Sequence, residues 1–242
     1  MTDASPGPDG PRPANENRPA PAELRLGDDL LMGVRFYSRL PTGTRPHLKP
    51  NLTRMAMALP FASLVIGALP AALLLGLEWL GVAHLFAAAL AVGAVVTLTG
   101  AMSEDALADA ADGLFGGPTI EERLAIMKDS RHGTYGVCAI VLLIGLRITA
   151  IGSIANPLAA AGLFLAASLM ARSGALWLSV ALPAARSGGA SAGAGALSRQ
   201  GFGIGAVFMV VLSFCLAGFA VGVLGLVLAY GLGALVIWGW TT

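Results

Sequence analysis

The chain has 242 residues, of which 56% are hydrophobic and 12% charged, with a formal net charge of +1. Soluble domains carry about 25% charged residues, so this composition and a mean hydropathy of +0.75 argue against an ordinary soluble protein. A net charge this close to neutral gives no reason to expect a nucleic-acid partner.

Residues 1–26 are rich in Pro, Asn and charge. They lack the apolar surface needed to offset the entropy of folding, so a disordered tail is expected there. Residues 27–242 then read as one transmembrane catalytic domain. No secretory signal is visible, because the first long apolar run begins near Met55. Residues 27–40, GDDLLMGVRFYSRL, suggest a short amphipathic helix, with Asp28 or Asp29 at its start and Pro41 at its stop. Such a helix either lies among lipid headgroups or packs on the protein.

Spans are predicted over residues 55–77, 81–102, 136–156 and 157–182. Pro60 and Pro70 lie inside the first, where neighbouring helices can satisfy the backbone they free. Residues 204–240 carry no charge and give room for one full span and a second, shorter one. The expected fold is therefore an all-α polytopic membrane bundle of five to six helices. Cys138 and Cys215 sit in apolar runs at a spacing that suggests neither a metal site nor a disulfide framework.

Lys and Arg gather in residues 12–54, at Arg123, Lys128 and Arg131, and at Arg186 and Arg199. The alternate connections, near residues 78–84 and 153–157, have none. Alternating spans put the three basic segments on one side, which the positive-inside rule makes cytoplasmic.

That side also receives the chain's densest acidic segment, SEDALADAADGLFGG at residues 103–117. On a helix Asp105, Asp109 and Asp112 fall within a wedge of about 60°. Neighbours on that stripe lie ~6 Å apart, and each pair repels by roughly 3 kcal/mol at an effective dielectric of about 20. Protonation or a bound cation would relieve this. A carboxylate cluster without Cys or His suits Mg²⁺ better than zinc. The plainer alternative, a solvated acidic face, fits less well, since Ala and Leu separate the aspartates. The basic segment RLAIMKDSRHGTYG follows, offering Arg123, Lys128 and Arg131 either as membrane anchors or as phosphate partners. Arg147 and Arg172 lie inside predicted spans. Intramembrane charge is expensive, which gives Arg172 a role at or behind the site and Arg147 a structural one.

EDALADAADGLFGG, RLAIMKDSRHGTYGV, ARSGALWL and LPAARSGG closely resemble the cobalamin 5′-phosphate synthase family, also called adenosylcobinamide-GDP ribazoletransferases. FYSRLPTG at residues 36–43, which contains Arg39, resembles the family's N-terminal motif. The resemblance implies an integral membrane enzyme, which the charge pattern places in the inner membrane with its site facing the cytoplasm. It would join adenosylcobinamide-GDP to α-ribazole or its 5′-phosphate, releasing GMP with the help of Mg²⁺. By that resemblance Glu104, Asp105, Asp109 and Asp112 are metal ligands, the three aspartates being catalytic. Lys128, Asp129, Ser130, Arg131 and Gly133 match its KDSR-x-G motif, and with Arg172, Arg186 and Arg39 they would bind substrate and its phosphates. Ala106, Ala110 and His132 depart from the usual pattern, His132 standing where an aliphatic residue is common. The family's closing polar motif is not found before Thr242, so a truncated or divergent C-terminus is expected. The aspartates are also similar to those of the CDP-alcohol phosphotransferases, but the distal pair of that pattern is missing. A cation-coupled transporter ranks lower, since it would hold its carboxylates near mid-membrane.

Overall fold

Asn51 begins the longest helix by accepting the Arg54 amide hydrogen on its side chain. In the computed structural model the described residues are 26–43, 51–129, 131–183, 197–218, 227 and 230–235. They form α1 (Leu26–Tyr37), α2 (Leu52–Trp79), α3 (His84–Thr99), α4 (Met102–Gly116), α5 (Ile120–Ile126), α6 (Thr134–Gly152), α7 (Pro157–Ala181) and α8 (Arg199–Ala217). No strand occurs among the described residues. Four helices, α2, α6, α7 and α8, are long and apolar enough to cross a bilayer, and α3 with α4 makes a fifth candidate bent by 86°. The chain is a polytopic helical bundle, as its hydropathy indicated.

The bend replaces the predicted straight span over residues 81–102. Gly100 takes a left-handed conformation, and the Ala101 amide reaches back to the Val96 carbonyl, closing α3 with a Schellman pattern. Ala101 is itself left-handed, with φ of 57°. Two such residues in succession turn the chain sharply, and α4 starts in a new direction. The polar segment of residues 103–135 thereby leaves the line of α3. The fifth span begins earlier than predicted, because Ser198 caps α8 through the Gly201 amide. The shorter sixth run lies largely outside the described residues, as do the N-terminal tail and the last seven positions.

The long helix α2 lies at the centre. Leu74 joins Ala87, Ala91, Val92 and Val95 of α3 and Phe164 of α7 in one core. Leu59, Ala62 and Ile66 join Val34 of α1, Leu176 of α7 and Phe202 of α8 in the other. Between membrane helices such contacts work through close packing rather than water exclusion. Gly205 lets α8 approach the Ala56 carbonyl of α2, where any β-carbon would collide. Val34 is buried, and Arg54 binds Asp29 at 2.8 Å. One face of α1 therefore packs on the protein, while Leu31 and Phe36 stay exposed.

Contacts between elements mark two ends. The Arg39 amide donates to the Leu98 carbonyl, and the Ser198 amide donates to the Thr53 hydroxyl. These tie the end of α1 to the end of α3, and the starts of α2 and α8 to each other. At the other end His84 Nδ1 lies 3.1 Å from Glu78 Oε1, and Gly152 abuts Leu85. Arg35, Arg39, Arg54 and Arg199 belong to the first end, where α4 and α5 also connect α3 to α6.

Candidate active site

Helix α4 presents Asp105 and Asp109 one turn apart, and the loop before α6 brings His132 to them. One carboxylate oxygen from each aspartate and one imidazole nitrogen all lie within 4.8 Å of one another. His132 Nε2 is 3.6 Å from Asp105 Oδ1, and the Asp105 side chain is 63% exposed. The Asp109 carboxyl is held above the usual carboxylate range, first by burial and next by the Asp105 charge. Nearby His132 opposes that shift, and Asp112 adds to it. A carboxyl raised in this way beside a second carboxylate makes a place where a cation is favoured.

The donor set tests that idea further. Two carboxylates suit a hard ion such as Mg²⁺, which keeps several waters. An imidazole nitrogen is a poorer partner for Mg²⁺ and a better one for first-row transition ions. The residues present therefore fit Mg²⁺ through Asp105 and Asp109.

The other two acidic residues of the motif serve different neighbours. Asp112 is buried and accepts hydrogen bonds from the Gly133 amide at 2.6 Å and the Gly136 amide at 2.9 Å. Gly133 precedes the first turn of α6. Asp112 thus caps α6 from another helix, satisfying two amides that have no intrahelical partner and placing negative charge at a helix N-terminus. A β-carbon on Gly136 would collide with the Asp112 carboxylate and sit 3.0 Å from that of Ala108. Glycine is what allows α6 to approach α4 this closely. Ring contact between Phe115 and Tyr135, at 5.6 Å, holds the same junction.

Glu104 projects elsewhere, about 100° around α4 from Asp105. Its side chain is 5% exposed, and Arg147 Nη1 donates to its Oε1 at 2.9 Å. Its Oε2 has no hydrogen-bond partner among the described residues. Arg172 is half-buried, donates weakly to the Ser168 carbonyl at 3.4 Å, and lies within electrostatic reach of Arg147, Glu104 and Tyr37. These residues join α1, α4, α6 and α7 behind the aspartates. The four acidic side chains are therefore divided among a surface pair, a helix cap and an interior ion pair, rather than gathered about one point.

The basic segment is similarly divided. Arg123 donates to the Gly117 carbonyl at 2.8 Å and so fastens α5 to the end of α4. Arg131 pairs with Asp129 at 2.7 Å on the surface, and Lys128 is exposed beside them. Arg39 is exposed, and its guanidinium covers the bend at Gly100. Ser130 and Arg186 lie outside the described residues. His132 was absent from the sequence-derived set, and only its position beside the KDSR segment could have signalled it. A cavity of about 410 Å³ between α7 and α8 is lined by apolar side chains such as Met170, Trp177 and Met209, with no carboxylate among its described lining residues.

Fold and site together define a multi-pass helical membrane protein with a carboxylate–imidazole cluster where its basic connections meet. The family model for cobalamin-5-phosphate synthase matches residues 29–242, and the chain belongs to that family. It is similar to the adenosylcobinamide-GDP ribazoletransferase of Azorhizobium caulinodans, with 39% identity over 90% of this chain and 84% of that one. The enzyme of the same name from Bradyrhizobium diazoefficiens is 41% identical over 85% of this chain and 74% of its own length. That of Xanthobacter autotrophicus is 46% identical over 59% of this chain and 55% of its own. No solved structure matches the chain.

Proposed function

We propose that the chain is an adenosylcobinamide-GDP ribazoletransferase whose reaction takes place at the Asp105–Asp109 end of α4, on the cytoplasmic side of the inner membrane. The acceptor is α-ribazole or its 5′-phosphate. A ribose hydroxyl of the acceptor attacks the phosphorus next to cobinamide. The bond from that phosphorus to the bridging oxygen breaks, and GMP leaves with the electron pair. The observation that carries this reading is the convergence of Asp105, Asp109 and His132 within 4.8 Å, with exposed Arg131 next to His132 in the chain.

Asp105 and Asp109 would hold Mg²⁺. When bound, that ion supplies positive charge beside the diphosphate and the departing phosphate. Asp105 offers one oxygen to the ion, and its second oxygen, on an exposed side chain that substrate can reach, would receive the proton of the attacking hydroxyl. Both oxygens of Asp112 already accept backbone amides. Its part is to fix Gly133 and the start of α6 against α4, and with them the chain next to His132. Arg172 and Arg147 support α4 from behind through Glu104. The basic connections on this end favour the cytoplasmic assignment.

The test is GMP release by the purified chain in liposomes, supplied with both substrates and Mg²⁺. Asp109→Asn should lower turnover at least ~100-fold, as loss of a ligand to a charge-stabilising ion does. Near-normal turnover by that variant would remove Asp109 from the site.

A further inference from the structure

His132 is not needed to hold a hard cation, yet its imidazole stands among the atoms that would. We infer that His132 is a third, nitrogen ligand to the cation at Asp105 and Asp109, and that the site therefore binds first-row transition ions, which accept imidazole, in preference to Mg²⁺. The inference rests on the metal-assisted reading proposed above and adds the donor that sets selectivity.

Its support is geometric. Ligands on a small octahedral ion with bonds of about 2.1 Å lie ~3.0 Å apart when adjacent and ~4.2 Å when opposite. The 3.6 Å from His132 Nε2 to Asp105 Oδ1 falls between these values. Atoms at the 4.8 Å limit of the group would have to approach by at least ~0.6 Å to lie opposite one another on one ion. His132 is also well placed in the chain. Its neighbour Gly133 is bound by Asp112, and Tyr135 packs on Phe115. Both contacts tie the histidine's backbone to the helix that carries the two aspartates. Mg²⁺ dehydrates reluctantly and takes oxygen, whereas first-row transition ions gain from an imidazole, Mn²⁺ the least of them, which makes Mn²⁺ the most demanding paramagnetic probe. One imidazole added to two carboxylates should therefore shift preference without abolishing Mg²⁺ binding.

The test uses the full chain, purified and stripped of metal, with Mn²⁺ alone as the probe. Pulsed electron paramagnetic resonance of bound Mn²⁺ should show coupling to a directly ligated ¹⁴N nucleus. His132→Leu should remove that coupling and weaken Mn²⁺ binding at least ~10-fold, since even outer partners of ligands change affinity 10–100-fold. Mg²⁺ affinity, read by its displacement of Mn²⁺, should change less than about 3-fold. Retained Mg²⁺ binding by the variant shows that the site is still assembled. Mn²⁺ bound without ¹⁴N coupling, or with coupling that persists in His132→Leu, would overturn the histidine's role while leaving the two-carboxylate site intact. No binding of either ion by the unaltered chain would overturn both.

Discussion

Replacing Asp112 with Asn separates its capping role from any role in metal binding. Each carboxylate oxygen of Asp112 accepts one amide of the α6 N-terminus, at 2.6 and 2.9 Å. Asn keeps one acceptor and turns an NH₂ group toward the second amide. One charge-assisted bond is lost, and a donor in a buried junction is left unpaired, which costs about 1–3 kcal/mol. Loss of the charge at the helix N-terminus adds roughly 0.3–1 kcal/mol. A local loss of about 2 kcal/mol corresponds to roughly 30-fold in the opening equilibrium. Hydrogen exchange of the segment 133–140, measured in detergent without metal or substrate, should speed by that factor in Asp112→Asn. Asp105→Asn should leave the same segment unchanged. Equal exchange in Asp112→Asn and the unaltered chain would refute the cap and return Asp112 to the surface carboxylate pair.

Arg147→Met should destabilise the protein by about 3–5 kcal/mol, since it leaves Glu104 buried and unpaired. Thermal unfolding in detergent should show much of that loss recovered when Glu104→Met is added, and a double variant as unstable as the single one would contradict the pairing. For orientation, a cysteine at exposed Glu122, in a chain with Cys138 and Cys215 replaced, should react with an impermeant reagent in inverted vesicles and not in intact cells. Labelling from outside the cell would reverse the proposed topology.

Much of the bundle was legible because membrane helices announce themselves by length and apolarity. The α7 boundary was read almost to the residue, since Asn156 and Pro157 form a local start signal. The break after Thr99 was not, because Ala101 looks helical in sequence and is nonetheless left-handed, next to Gly100 under the Arg39 guanidinium. The stripe of Asp105, Asp109 and Asp112 was correctly placed on one helix face. What divides it is tertiary. Asp112 meets amides 21 and 24 residues away, and Glu104 meets Arg147 across 43 residues. His132 escaped for the same reason, because its approach to Asp105 depends on the Asp112 cap, which no local pattern encodes.

The most direct test of the central claim is the substrate dependence of GMP formation by the purified, reconstituted chain. With adenosylcobinamide-GDP and α-ribazole together, GMP and the joined cobalamin product should appear in equal amounts. Each substrate alone should yield neither, because the attacking hydroxyl and the phosphorus come from different molecules. Release of GMP from adenosylcobinamide-GDP alone, or no joined product with both substrates present, would contradict transfer at this site.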